Sequence, residues 1–215
     1  MSLGHGASIV RNGLRHSTDL SNIKSYVSGT NITDLLTNTT GSSSISNTAA
    51  TWMNAGVNQI TITAVIKRLT GISGYSVNPL TKYATTTDNT FSWYVFGNNS
   101  GTTPSEDGRL MMYSNRGGTW GSVGSSYTIA LNETVVATIQ YNSTNGGQLW
   151  INGSKVGSRS ASGIFGTASN TSPIVVFTPP TSGAVIMYYS SIYDRELSDF
   201  EIQQNFEALR GRYGI

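Results

Sequence analysis

Thr134–Arg159, TVVATIQYNSTNGGQLWINGSKVGSR, reads as three consecutive β-strands. Val135, Ala137, Ile139 and Tyr141 recur with the period of two that places alternate side chains on one face of a strand. Asn142–Gly147 (NSTNGG) interrupts the run with turn-forming residues, and Gln148–Ile151 returns. Asn152-Gly153 marks a second reversal. A type I′ turn needs positive φ at both central positions, which Asn and Gly tolerate best. Lys155–Ser158 completes a three-stranded meander.

Similar text continues on both sides. Upstream, Gln59–Lys67 (QITITAVIK) sets Ile60, Ile62, Ala64 and Ile66 against Thr61, Thr63, Val65 and Lys67, the pattern of a half-buried strand. Phe91–Phe96 (FSWYVF) is apolar on both faces and is expected inside a sheet, whereas Arg109–Tyr113 and Ser126–Ala130 are shorter candidates. Downstream come Ile174–Thr178 and Ala184–Tyr193, separated by Pro179-Pro180, which cannot continue a ladder. About ten to twelve strands with regular turn signals describe an all-β sandwich or barrel. Val27–Ala50 and Asn98–Gly108 show no period and are expected as long surface loops, where binding residues tend to sit.

Composition agrees with a single packed β domain. The chain has 215 residues, of which 24 are Gly and only 11% are charged. Low charge without a core would mean disorder, but four Trp, eleven Tyr and six Phe supply a core. A net charge of +2 with no Lys/Arg cluster gives no nucleic-acid footprint. The absence of cysteine removes disulfide and thiolate chemistry. No run approaches the ~18 apolar residues of a membrane-spanning helix. MSLGHGASIV lacks the basic and apolar regions of a secretory leader, so the expectation is folding in a cytoplasm. Residues 1–12, with Gly4 and Gly6, are expected as an N-terminal arm, and residues 13–215 as one domain.

The last stretch, Ser191–Ile215 (SIYDRELSDFEIQQNFEALRGRYGI), changes character and holds eight of the chain's 24 charged residues. The spacing predicts a helix over 198–210. Ser198 is the expected N-cap, and Glu201 three residues on completes a capping box. Ile202, Phe206 and Leu209 form one apolar stripe. Arg210 and Arg212 complement the dipole, with Gly211 as the expected left-handed C′ residue.

Candidate chemistry is sparse. Paired carboxylates could serve glycoside hydrolysis, but Asp194-x-Glu196 and Asp199-x-Glu201 fall at the strand-to-helix junction, where acids cap the helix and complement its dipole. His5 and His16 are the only histidines, and no Gly-x-Ser-x-Gly elbow accompanies them. No enzyme activity and no cofactor are therefore expected. Calcium is the ion the chain could serve, through Asp19 and Asp34 with Asp88, Asp107 and loop Asn residues; the competing reading is that these residues form turns. Of the four tryptophans, Trp93 and Trp150 lie in strand patterns and are expected in the core. Trp52 and Trp120 are flanked by loop residues and are the candidate sugar-stacking platforms.

Four blocks resemble the laminin-G-like, concanavalin-A-like jelly-roll domains of tailed-bacteriophage virion proteins, those of cyanophages in particular. They are Ile9–Tyr26 (IVRNGLRHSTDLSNIKSY), Ile60–Lys67 (ITITAVIK), Thr134–Gly157 and the C-terminal block. The specific part is Glu201–Phe206 (EIQQNF) followed by Gly211–Gly214 (GRYG). Val65 stands where the family usually has an aromatic, and Asn142–Gly147 replaces its Asp-Gly turn. The resemblance implies a concanavalin-A-like jelly-roll β-sandwich with one short C-terminal helix. It further implies a non-enzymatic virion structural protein assembled in the host bacterial cytoplasm, foremost a capsid decoration protein on the head surface. Its expected partners are other virion proteins (major capsid protein or tail components) and further copies of itself, not nucleic acid or membrane. The alternative is a carbohydrate-binding module of a tail or fibre protein that recognises host surface glycans.

Overall fold

The computed structural model describes residues 8–19, 43–45, 59–69, 78–82, 90–95, 108–116, 119–160, 174–178 and 185–215. Its strands are β1 (Leu14–Asp19), β2 (Ser43–Ile45), β3 (Gln59–Arg68), β4 (Asn78–Lys82), β5 (Thr90–Val95), β6 (Arg109–Arg116), β7 (Thr119–Thr128), β8 (Thr134–Asn142), β9 (Gly146–Ile151), β10 (Ser154–Arg159), β11 (Ile174–Thr178) and β12 (Val185–Tyr193). One helix, α1 (Asp199–Tyr213), follows. Hydrogen-bonded neighbours form two six-stranded sheets, ordered β1-β12-β3-β8-β9-β10 and β2-β11-β4-β5-β6-β7. The strand pairings are antiparallel throughout.

The meander forms as its sequence demands. Asn152 and Gly153 take φ 50 and 77, the two left-handed positions of the turn. Asn152 does more than turn the chain: its N–H donates to Val136 O at 2.8 Å and its Oδ1 accepts Val136 N–H at 2.8 Å. The β9–β10 turn is thereby tied to β8.

The first sheet is covered on both faces, and this corrects the half-buried reading of β3. By alternation, Ile60, Ile62, Ala64 and Ile66 of β3 share one buried face with Val135, Ala137, Ile139 and Tyr141 of β8 and Leu149 and Ile151 of β9. The opposite face of β3, Thr61, Thr63 and Val65, is equally buried. There Val65 packs with Val136, Tyr189 and Leu209, joined by Ile9, Tyr188, Phe206, Tyr213 and Ile215. A neighbouring cluster unites Trp150, Tyr193, Val10, Leu197 and Ile202. Trp150 is thus buried, as expected, but beneath the helix. A register shift between Met187 and Tyr189 lets two consecutive tyrosines reach this layer.

Thr61 and Gln140 on the covered face find partners in the chain that covers them. Thr61 Oγ1 donates to Arg195 O at 2.7 Å and accepts Leu197 N–H at 3.1 Å. Gln140 Nε2 donates to Leu197 O at 2.5 Å, and the Thr63 and Thr138 hydroxyls bond each other at 3.0 Å. Part of the expected N-terminal arm is docked here. Val10 is buried, Ser8 O accepts from Gln204 Nε2 at 2.7 Å, and Asn12 O accepts from Arg195 Nε at 3.0 Å. Residues 1–7 lie outside the described residues.

Three further expectations are corrected. The region Val27–Ala50 contains β2, while its remainder lies outside the described residues. Of the short candidate Ser126–Ala130, the first three residues are the tail of β7, a ten-residue strand whose glycines hide its alternation, and Ile129 and Ala130 lie beyond it. Helix α1 runs to Tyr213, so Gly211 is helical, and Gly214 (φ 68, ψ 37) takes the left-handed cap.

Candidate functional site

The acids at the strand-to-helix junction are engaged in contacts that build the elbow and the start of α1. Ser198 Oγ accepts the Glu201 N–H at 3.3 Å and Glu201 Oε2 accepts the Ser198 N–H at 2.9 Å, a complete capping box. The same carboxylate receives a two-pronged contact from Arg195, at 2.9 Å from Nη1 and 2.5 Å from Nη2. Arg195, first of all, and the Ser198 N–H hold the Glu201 carboxyl down at about 2. Asp194 pairs with Arg15 at 2.6 Å, and Glu196 accepts from Asn142 at 2.8 Å and Asn145 at 3.2 Å. Asp199 lies 3.7 Å from Lys155. Glu133 accepts from the Ala130 N–H at 2.7 Å and from the Tyr127 hydroxyl, whose pKa that bond raises. These contacts brace the strand-to-helix elbow, the start of α1 and the β7–β8 turn.

Only Asp19 and Trp120 of the four metal and sugar candidates fall within the described residues. Asp34 and Trp52 lie outside the described residues, and Asp19 ends β1 at the register position opposite Tyr189. Among the described residues no three His, Asp or Glu side chains gather as metal ligands. Trp120 was expected beside a loop. It lies within β7, paired with Asn115 of β6.

A more promising arrangement lies where the two sheets meet at β6, β7 and β10. On β6 and β7, Leu110, Met112, Ser114, Gly121, Val123 and Ser125 are buried; on the alternate positions Met111 is buried as well, while Tyr113, Ser122 and Gly124 are half-buried. Tyr113 and Ser122 are register partners across the β6–β7 ladder, so the ring and the hydroxyl are neighbours. The register shifts between Arg109 and Met111, and Arg109 occupies this irregularity, its Nε donating to Ser125 O at 2.6 Å. From the other side, exposed Arg159 on β10 donates to Ser122 O at 2.8 Å.

Two glycines allow this junction to close. A Cβ on Gly157 would sit 2.6 Å from Gly124 O, and one on Gly124 would sit 2.6 Å from Met111 Sδ. Ser126 Oγ then bonds Val156 O at 3.1 Å. The result is an aromatic ring, a hydroxyl and a guanidinium in sequence across three strands, with a second guanidinium held on the same β7 strand. Sequence reasoning missed Tyr113, Ser122, Arg109 and Arg159. The available signal was glycine inside a strand, which marks close approach of another backbone.

With two six-stranded antiparallel sheets and a single short C-terminal helix, the chain has the architecture of a lectin-like jelly-roll β-sandwich. No family model matches it, and no curated protein does. Among solved structures it is similar to the binding domain of Paraclostridial mosquitocidal protein 1, with TM-score 0.62 and 17% identity over 92% of this chain and 52% of that one. It is similar also to the binding domain of botulinum neurotoxin DC in complex with SialylT, with TM-score 0.54 and 16% identity over 74% of this chain and 37% of that one. A third is a structure of botulinum neurotoxin type C, whose cell entry depends upon interaction with two ganglioside molecules. Its TM-score is 0.55 and its identity 13%, over 74% of this chain and 38% of that one. This chain therefore spans about half, or less, of each of these proteins, and the likeness is one of fold.

Proposed function

We propose that this chain is a non-enzymatic carbohydrate-binding domain that uses the β6–β7 face of its second sheet. The observation that carries this reading is the half-buried Tyr113 beside Ser122, its partner across the β6–β7 ladder. A ring stacks on the apolar face of a sugar while hydroxyls and guanidinium groups bond its periphery, the mixture of apolar surface and few polar groups common in ligand sites. The fold supports the reading, since similar folds occur in toxin domains solved with SialylT or dependent on gangliosides. The structural engagement of the elbow, helix and β7–β8 acids supports binding without hydrolysis.

The setting we propose is a bacteriophage virion, as a tail or fibre module that recognises host surface glycans. A glycan microarray followed by calorimetric titration tests the binding. Tyr113→Ala should weaken the best glycan by about tenfold or more, the scale of one lost stacking contact. Unchanged affinity in that variant would remove this face from the reading.

A second reading, capsid decoration by a homo-oligomer, is favoured by one observation: the Glu201–Phe206 and Gly211–Gly214 runs, which resemble phage head and tail proteins. Co-sedimentation with purified capsids, together with no response to any glycan, would establish it over the first.

A further inference from the structure

We propose that the ligand of the β6–β7 face is an acidic glycan, its carboxylate or sulfate groups held by Arg159 and Arg109. This rests on the carbohydrate-binding reading and names the class of sugar.

Among the described residues the acids lie away from the second sheet: Asp19 ends β1, Asp194, Glu196, Asp199, Glu201 and Glu207 lie on the elbow and α1, and Glu133 on the β7–β8 turn. The six strands of the second sheet contain no Asp or Glu; their charged residues are Lys82, Arg109 and Arg116. β10, which closes against that sheet, adds Arg159, whereas Lys155 at its other end is turned to Asp199 and Trp150. A sugar lying across β6 and β7 therefore meets Arg109 and Arg159 and, among the described strands of that sheet, no acid.

The two arginines are also held in place. Arg109 is fixed through Nε on Ser125 O at 2.6 Å, and Arg159 through Nη1 on Ser122 O at 2.8 Å. Both anchors are carbonyls of β7, three residues apart, so about 10 Å of strand separates them. Among the described residues each guanidinium makes this one bond. A guanidinium has five N–H donors and suits planar anions, so the rest of each fork remains to receive a carboxylate or sulfate. The spacing is on the order of two sugar rings, which fits an acidic oligosaccharide better than an isolated anion. Tyr113 and Ser122 lie alongside Arg159, placing the stacking surface beside the charge.

The test uses the full chain and three polymers that share one backbone: dextran, carboxymethyl-dextran and dextran sulfate. Affinities are measured by biolayer interferometry at about 0.15 M salt, where long-range attraction is screened, alongside the glycan microarray. One or both anionic polymers should bind at least about tenfold tighter than dextran, and the carboxymethyl and sulfate arms separate the two anion chemistries. Arg159→Gln should remove about tenfold of that preference, as expected for a lost charge-assisted bond. Arg159→Lys should restore part of it. Arg210→Gln, which removes the same charge from α1, should leave the preference intact. Circular dichroism confirms that each variant is folded.

Equal binding of neutral and anionic polymers, or equal losses in the Arg159 and Arg210 variants, overturns the proposal. Binding of neutral array glycans that is sensitive to Tyr113→Ala but not to Arg159→Gln overturns the acidic class and leaves the carbohydrate reading standing. No binding to any polymer or array glycan overturns both.

Discussion

At Asn205 three separate stretches of the chain meet. Its Oδ1 accepts the Val10 N–H at 2.8 Å and its Nδ2 donates to the Tyr193 hydroxyl at 3.1 Å, with Asn205 itself buried. Burial is also the main reason the Tyr193 phenol is pushed well above its usual range. Asn205→Ala leaves a buried N–H and a hydroxyl without partners, and each such group costs about 1–3 kcal/mol. The variant should lose about 2–4 kcal/mol in urea unfolding, with little change in slope. Glu201 acts with a defined sign. Its folded value of about 2 lies below the ordinary 4.5, so its stabilisation is present above about pH 4.5 and is lost as pH falls through about 2. The Tm advantage of the wild type over Glu201→Gln should shrink steadily on acidification from pH 5 to 2, and a gap independent of pH would count against the Arg195 pairing. Gln keeps a capping acceptor, so the comparison isolates the charge.

Among elements, α1 shows best how local and tertiary signals divide. Its start was fully legible, because Ser198 and Glu201 meet a local geometric requirement. Its end was not. The GRYG run offers two glycines, and either could close the helix. The choice falls to Tyr213, which stacks on Tyr188 with ring centroids 5.9 Å apart, and to Ile215, which packs into the same cluster. These contacts extend the helix a further turn and move the cap to Gly214, whose N–H reaches Arg210 O. Two substitutions should therefore act in opposite directions. Gly211→Ala places a Cβ in open space within a helix and should stabilise by about 0.5–1 kcal/mol. Gly214→Ala forces a left-handed residue and should cost about 1 kcal/mol. Scanning calorimetry of the two variants checks both signs.

At the scale of the molecule, α1 and the docked 8–12 segment form a third layer over the first sheet. Ending the chain after Leu197 would remove the cover from Val65, Val136, Tyr189 and Trp150. Fully burying each large apolar side chain contributes about 1.5–3 kcal/mol, so the loss would be comparable to the whole stability of a domain. The shortened chain should bind a hydrophobic dye and lose near-ultraviolet circular dichroism, and native-like spectra would show that the layer is dispensable. The same layer closes one face of the first sheet to any ligand, which is why the proposed binding face lies on the second sheet.

The chain's own text determined β3, β5, β6, β8 to β12, the Asn152-Gly153 turn and the helix start, because alternation, positive φ and capping are properties of neighbouring residues, whereas β2, β4 and most of β7 carry no such local signal. Only the tertiary structure decided that Thr61, Thr63 and Gln140 face protein and not water. Period-two patterning reports a contrast between two faces, and a threonine bonded to distant backbone reads the same as one bonded to solvent. For the same reason Tyr113, Ser122, Arg109 and Arg159 could not be grouped in advance. They come together through the β6–β7 register and the approach of Gly157 to Gly124, both of which join residues far apart in the chain.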